Sequence, residues 1–231
     1  MRAIRSAPNL GEQVYQAILD DICDGELSPG THLVQEQIAA QLGVSRQPVQ
    51  QALALLKADG IIEDVGRRGL RVTRLDLQEM RHRYAIRAAL DGLAARSAAE
   101  RARADAETAA DIERRGAQIL DAGQAAVEAR DTARQVHHDE AFHRLIYECS
   151  GNPLLATTAQ PHWRFLRRVM GDVLREAEPP HAVWKQHAAI LDAIVRGDPE
   201  LAETRAGNHV SVATERLVQS QSLSGGGIGE R

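Results

Sequence analysis

The stretch of residues 28–74 constrains the fold of this chain more than any other part of the sequence. Two helical segments joined by a tight turn are followed by two short β-type runs, which flank a basic segment bounded by glycines. In chain order these pieces are residues 35–41, the turn 42–44, residues 45–59, and the runs 61–63 and 70–73 around 65–69. Helix, turn, helix and hairpin in this order predict a winged helix-turn-helix, a motif whose second helix enters the major groove of DNA.

The second helical segment carries signals that mark its start. Ser45 is a residue type that caps helix N-termini, and Pro48 falls in the first turn, where a missing N–H costs little. Gly43 suits a turn position that requires a positive φ. The sequence therefore predicts two separate helices joined at residues 42–44.

The charge distribution is uneven. The formal net charge is −4, and residues 1–74 contain eight basic and nine acidic side chains, which does not indicate a general nucleic-acid binder. Four arginines nevertheless lie in one stretch of eight residues, in and just after the predicted wing: Arg67, Arg68, Arg71 and Arg74. This concentration is compatible with specific DNA binding.

The rest of the chain has a helical composition. Hydrophobic residues make up 43% of the chain but aromatic residues only 3%, and few β-branched runs follow Thr73. The predicted helices cover residues 77–104, 106–122, 124–149, 154–175, 182–196 and 199–219. We therefore predict a mainly α fold with three parts: a winged helix-turn-helix over residues 1–74, an all-α helical bundle over 75–219 and a disordered tail over 220–231.

Two further features bear on the compartment. The sequence contains no apolar run of 18 residues and no apolar segment typical of a secretory signal, so we expect no membrane partner. The cysteines, Cys23 and Cys149, have no CxxC spacing and suit a reducing environment. We expect a cytoplasmic protein.

An aspartate and three histidines of the second domain form a candidate metal site. Asp139 and His143 are four residues apart on one predicted helix and project from the same face, while His187 and His209 lie on two later helices. Such a ligand set suits Zn²⁺, Ni²⁺, Fe²⁺ or Mn²⁺. Spacing alone also allows surface neighbours or hydrogen-bonded core histidines. The apolar residues around His143 and His187 favour an inward-facing cluster, in which a buried carboxylate requires a partner.

Motifs in both halves resemble a known family. The N-terminal motifs are Gly43–Val49, Ala52-Leu53, Asp59-Gly60 and Gly66–Gly69. The C-terminal motifs are Asp139–His143, Ser150–Pro153, His187 with Ile190, Ala193 and Ile194, Gly197-Asp198, and His209. The N-terminal set resembles the DNA-binding domain of GntR-type bacterial transcription regulators. The C-terminal set is similar to the FCD ligand-binding domain of the FadR-like subfamily.

The resemblance implies a homodimer that binds a near-palindromic double-stranded DNA operator. It also implies that Asp139, His143, His187 and His209 hold a divalent metal at which a small carboxylate effector binds. For DNA, we expect contacts with bases or phosphates from residues of the second helix and contacts with the backbone or minor groove from the wing. The expected DNA-binding residues are Ser45, Arg46, Gln47, Gln50, Arg67 and Arg68.

Two further positions bear on what the protein recognises. Gln50 replaces an arginine that is frequent in the family; because glutamine suits adenine and arginine suits guanine, we expect an operator that differs at that base. Arg87, in the segment Arg87–Asp91, is a candidate to bind an effector carboxylate. The alternative for Arg87 is a structural ion pair with an acid of a neighbouring helix.

These features predict a ligand-responsive transcription regulator, in this family more often a repressor, and not an enzyme. A metalloenzyme is the less favoured alternative, because no acid–base pair or nucleophile motif accompanies the metal ligands and the winged helix would be unexplained. A regulator in which the metal itself is the signal is a further alternative that the sequence does not separate from a carboxylate sensor.

Overall fold

The computed structural model describes residues 10–23, 25–66, 69–74, 76–174 and 180–224, with side chains described except at 168–174, 180 and 217–224. These residues form helices α1 Leu10–Cys23, α2 Gln35–Leu42, α3 Arg46–Ala58, α4 Leu77–Ala104, α5 Ala106–Glu128, α6 Thr132–Cys149, α7 Pro153–Leu174, α8 Pro180–Val195 and α9 Pro199–Ser224. The strands are β1 His32–Leu33, β2 Ile62–Val65 and β3 Gly69–Val72. The predicted mainly α fold class, a winged helix-turn-helix followed by a helical bundle, is confirmed.

The chain divides into two compact units. One comprises residues 1–75 and 164–169, and the other comprises residues 76–163 and 170–231. The predicted domain boundary lay after Arg74. None of the helices in the described ranges is both long and apolar enough to cross a membrane.

In its described residues the first unit contains helices α1 to α3, residues 164–169 of α7 and a small antiparallel sheet. Val49, Ala52 and Leu56, all fully buried, project from one face of α3 into the core. Gly43 adopts a left-handed conformation with φ 64° at the end of α2, as its place in the turn predicted. Ser45 occupies the N-cap position of α3, although its side chain makes no capping hydrogen bond.

The sheet of this unit has the strand order β1-β3-β2. Strand β2 pairs with β3 in the register Ile62 to Val72, which fixes the predicted hairpin. Strand β1 was not predicted from the sequence; it is two residues long and forms because His32 pairs with Arg71 far along the chain.

The second unit is built from helices α4 to α9, apart from residues 164–169 of α7, around one core. Small residues of α4, including Ala94, Ala95 and Ala98, are fully buried and let neighbouring helices approach closely. Asp76 caps α4 by accepting hydrogen bonds from the backbone N–H groups of Gln78 and Glu79.

The predicted helix break at Gly123 is wrong. Helix α5 continues through Gly123 to Glu128, and the chain turns at Arg130, which has φ 54°. A Cβ atom at residue 123 would lie 2.0 Å from the ring of Trp184. Residue 123 is a glycine because an aromatic ring packs directly against the helix backbone. In the sequence, a glycine required by packing cannot be told from a glycine that ends a helix.

The C-terminal end also differs from the expected bounds. Helix α9 continues to Ser224, past the expected end at residue 219. The remainder of the predicted tail, residues 225–231, lies outside the described residues.

Candidate metal centre and recognition helix

Three helices bring the four predicted metal ligands together. Asp139 and His143 lie one turn apart on α6, His187 comes from α8 and His209 from α9. One potential ligand atom from each residue lies within 4.8 Å of all the others, and all four residues are buried. The convergence follows from the apolar stripes that turn these helix faces into the core, where His143 and His187 are 1% and 0% exposed.

The geometry of the cluster fits a metal ion. His187 Nε2 lies 3.2 Å from His209 Nε2 and 3.3 Å from Asp139 Oδ1. Two ligands about 2.0–2.1 Å from a tetrahedral zinc ion stand about 3.3–3.4 Å apart, so these separations suit a shared ion. Asp139 Oδ2 and His143 Nε2 are buried without a hydrogen-bond partner among the described residues, which leaves their lone pairs for another group.

The protonation of the cluster also suits metal binding. Burial, together with neighbouring cationic and imidazole groups, holds the pKa values of His187 and His209 well below the ordinary histidine value. Both imidazoles are therefore neutral near pH 7 and can donate a lone pair. Burial raises the pKa of Asp139, and the nearby His143 and Arg87 oppose this shift.

A further layer of polar residues surrounds His143. Asp91 of α4 is 2% exposed and places Oδ2 3.1 Å from His143 Nδ1. Asp91 Oδ1 accepts a hydrogen bond from the Tyr147 hydroxyl, and Trp163 Nε1 donates to the same hydroxyl oxygen at 3.3 Å. The sequence predicted no role for Asp91, Tyr147 or Trp163, because these contacts join residues that are far apart in the chain.

Arg87, the predicted effector-binding residue, lies beside this layer and is 2% exposed. Its guanidinium carbon stands 3.8 Å from the centre of the Trp163 ring, and its Nε lies 3.2 Å from Asp91 Oδ2. The acid that pairs with Arg87 is thus on the same helix, not on a neighbouring one. Arg87 Nη2 is buried without a hydrogen-bond partner in the described part of the chain.

The outer side of His209 has a different environment. His209 Nδ1 lies 2.7 Å from Gln186 Oε1, a contact that favours a proton on Nδ1 and leaves Nε2 directed toward the cluster. A surface pocket between α8 and α9 is lined by Gln186, His209, Arg205 and Asn208, among others. His209 is therefore the ligand that lies nearest to this opening.

Helix α3 carries the predicted DNA-binding residues that the structure describes. Ser45, Arg46, Gln47 and Gln50 are all exposed. Arg46 pairs with Glu36 of α2 at 3.0 Å. The predicted wing residues Arg67 and Arg68 lie outside the described residues, between β2 and β3.

Comparison with protein families gives two matches that together span most of the chain. The family described as bacterial regulatory proteins, gntR family, matches residues 10–72. The FCD domain family matches residues 82–212, which include all four candidate metal ligands. Both matches confirm the resemblance drawn from the sequence motifs.

Individual relatives agree with these matches. The chain is 32% identical to a probable D-xylose utilization operon transcriptional repressor of Paenarthrobacter nicotinovorans, over 87% of this chain and 86% of the relative. It is 25% identical to the HTH-type transcriptional repressor RspR of Escherichia coli K12, over 91% and 90% of the two chains.

Solved structures show the same fold. Escherichia coli McbR/YncC superposes with a TM-score of 0.77 at 21% identity, covering 94% of this chain and 100% of that chain. A GntR transcriptional regulator from Rhodococcus sp. RHA1 has a TM-score of 0.72 at 20% identity, covering 91% and 98%.

Proposed function

Because the chain belongs to the GntR family of bacterial transcription regulators and carries an FCD domain, we propose that it is a repressor controlled by a small carboxylate bound at a divalent metal. Members of these families regulate transcription and are not enzymes, so the chain is a transcription regulator. What is proposed is that a small carboxylate is the effector and that the regulator represses transcription.

One observation carries the proposal. Asp139, His143, His187 and His209 converge in the core of the second unit, and two of their potential ligand atoms have no hydrogen-bond partner in the described residues. A buried aspartate beside the neutral imidazoles of His187 and His209 is costly unless a cation compensates it. A divalent ion bound to these side chains would supply positive charge and open coordination positions for a carboxylate.

Arg87 supports a carboxylate as the effector. Its Nε and Nη2 atoms are both buried without a hydrogen-bond partner among described residues, and Nε lies 3.2 Å from Asp91 Oδ2 as an ion pair. A buried arginine nitrogen in this state is a strong donor for an oxyanion. We infer that Arg87 and the metal bind the same effector from two sides.

Helix α3 supports DNA recognition by direct contact. Ser45, Arg46, Gln47 and Gln50 are exposed on the helix that this motif inserts into the major groove. Arg67 and Arg68 of the wing are proposed to contact the backbone or minor groove. The relatives from Paenarthrobacter nicotinovorans and Escherichia coli K12 are named as repressors, which supports repression here. We further propose that a homodimer binds a near-palindromic operator, and that the protein acts in the cytoplasm.

The test joins two measurements on the full-length protein. A panel of small carboxylates is screened by thermal shift with and without a chelator, and operator affinity is measured by fluorescence anisotropy under the same conditions. We expect a carboxylate that raises the melting temperature only when metal is present and that weakens operator binding. If carboxylates have no effect but reversible metal removal itself changes operator affinity, the metal is the signal and the carboxylate proposal is wrong.

The role of Arg87 can be tested separately from that of the metal ligands. Arg87→Met keeps much of the side-chain length and apolar volume but removes the donors. We expect it to lose at least about tenfold in carboxylate affinity when the metal is saturating, a condition that offsets any loss of metal affinity from the missing contact with Asp91. Arg196→Met removes an exposed arginine that pairs with Asp192 on α8, and it should leave both affinities unchanged. Equal carboxylate affinity in the Arg87 variant would contradict this role.

A further inference from the structure

Asp91 is a central member of the polar network around the candidate metal centre. Its Oδ2 atom lies 3.1 Å from His143 Nδ1 and 3.2 Å from Arg87 Nε, while its Oδ1 atom accepts the hydrogen bond from the Tyr147 hydroxyl. The side chain is 3% exposed, so water competes little for these contacts. One carboxylate thus joins a metal ligand, an arginine and a tyrosine.

The position of Asp91 determines which nitrogen of His143 is available to a metal. A carboxylate beside Nδ1 stabilises a proton on that nitrogen, which leaves the lone pair on Nε2. His143 Nε2 is the atom that is buried without a hydrogen-bond partner among the residues described. Asp91 Oδ2 has no hydrogen bond of its own in the described part of the chain, so at 3.1 Å it is placed to accept a proton from Nδ1 and to favour this tautomer and ring orientation.

The other two histidines lack an equivalent partner in the described part of the chain. His209 Nδ1 lies 2.7 Å from the amide oxygen of Gln186, which is neutral, and His187 Nδ1 has no hydrogen-bond partner there. His187 is oriented instead by stacking on Phe142, with ring centres 4.4 Å apart. Among the three imidazoles, therefore, the one with an ionised described residue beside its outer nitrogen is His143.

We propose that Asp91 is a positioning residue for metal binding: it holds His143 in the tautomer whose Nε2 donates to the ion. The proposal rests on the proposed function of the cluster as a metal site. Tyr147 and Arg87 hold the Asp91 carboxylate in place through its two oxygens. Asp91 therefore acts on the ion through His143 and is not itself a ligand.

The test compares Zn²⁺ affinities of full-length variants by competition with a chromophoric chelator. In Asp91→Asn the side chain keeps its shape but loses the negative charge that stabilises a proton on His143 Nδ1. We expect zinc to bind about 10–100-fold more weakly to this variant. Asp91→Glu retains the carboxylate and should recover part of the loss. Asp192→Asn makes the same chemical change at a half-exposed position on α8 and should bind zinc like the parent protein.

Another measurement does not depend on how the variants fold. Histidine ¹⁵N NMR of the metal-free parent protein reports which nitrogen of His143 carries the proton. A proton on Nδ1 supports the proposal and a proton on Nε2 overturns it, including the case in which Asp91→Asn fails to fold. Because the assignment is made on the parent protein, a change of packing in the Asp91 variants does not affect it.

The outcomes separate the two proposals. If the parent protein binds zinc and Asp91→Asn binds it equally well, the positioning role is wrong and the metal site stands. If the parent protein binds neither Zn²⁺ nor Ni²⁺, Fe²⁺ or Mn²⁺, both proposals are overturned.

Discussion

At the scale of single residues, the second unit concentrates ionisable groups where most proteins place apolar ones. Arg87, Asp91 and Asp139 are all nearly inaccessible to water. Burial disfavours the charged form of Asp91, but His143 and Arg87 outweigh this effect and lower its pKa to about 2. The aspartates thus differ in kind: Asp91 is held ionised by its neighbours, whereas the pKa of Asp139 is raised.

The lowered pKa of His209 predicts a pH dependence of stability. Below about pH 6.5, His209 takes up a proton in the unfolded chain but stays neutral in the folded, metal-free protein. The free energy of unfolding therefore falls as the pH falls. We expect His209→Gln to reduce this slope by up to about 1.4 kcal/mol per pH unit between about pH 6.5 and 5. Urea denaturation in the presence of a chelator measures the slope.

The comparison between variant and parent is needed because Asp139 acts in the opposite direction. Its raised pKa means that the folded protein holds a proton that the unfolded chain has already lost. Subtracting the two slopes removes this contribution. Identical slopes in the two proteins would show that His209 takes up its proton equally in the folded and unfolded chains, which contradicts a lowered pKa.

The sequence predicted part of this site. Asp139 and His143 are recognisable because a four-residue spacing places them on one face of α6, and apolar neighbours indicated that His143 and His187 face inward. Asp91 could not be assigned, because its contact with His143 depends on how α4 packs against α6. Spacing within one helix is local information, whereas packing between helices is not.

At the scale of elements, two glycines in the helices of the second unit have different surroundings. Gly123 of α5 lies under the Trp184 ring, where a Cβ would stand 2.0 Å from a ring carbon. Gly207 of α9 has open space, and the nearest atom to a Cβ there is the Ala88 carbonyl oxygen at 4.0 Å. One glycine is required by packing and the other is not.

This difference predicts opposite effects of the same substitution. Gly123→Ala forces Trp184 or α5 to move and should destabilise the protein by about 1–3 kcal/mol. Gly207→Ala gains helix propensity without a clash and should be neutral or stabilise by up to about 1 kcal/mol. Chemical denaturation of both variants measures the difference. A Gly123→Ala protein as stable as the parent would mean that the Trp184 packing is loose.

The elements that the sequence predicted well are those with local signals. Helix α4 has the predicted bounds, since capping by Asp76 and a long run of small and charged residues mark it clearly. The break in α5 was misplaced and β1 was missed, because the first depends on a ring from α8 and the second on pairing with β3. Both errors come from contacts between distant parts of the chain.

At the scale of the whole molecule, the proposed dimer multiplies the effect of each residue of α3. Each half of a near-palindromic operator meets one copy of the helix, so a single substitution acts at two symmetric positions in the DNA. Gln50 is exposed on α3 and is the residue for which the sequence predicts a changed base preference.

We expect Gln50→Arg to shift the preferred base at two symmetric operator positions from adenine toward guanine. An arginine contact with guanine discriminates by about 1–3 kcal/mol per half-site. Operator selection from a random library measures the preference. Gln51→Arg adds the same charge at the next exposed position and should strengthen binding without the same change in base preference. A parent protein that already selects guanine there would contradict the assignment.

The ion pairs of α3 also affect how the protein behaves among the many unrelated sequences of a chromosome. The cations of this helix, Arg46 and Lys57, are each paired with an acid, Glu36 and Asp64, and the exposed positions between them are uncharged. Attraction to phosphates is what retains a regulator on random DNA. Arg46 reaches DNA only by exchanging Glu36 for it, and the uncharged remainder of the helix adds no attraction. We therefore expect α3 to contribute little to retention on random DNA, so that a larger share of the protein stays free to occupy its operator at low copy number.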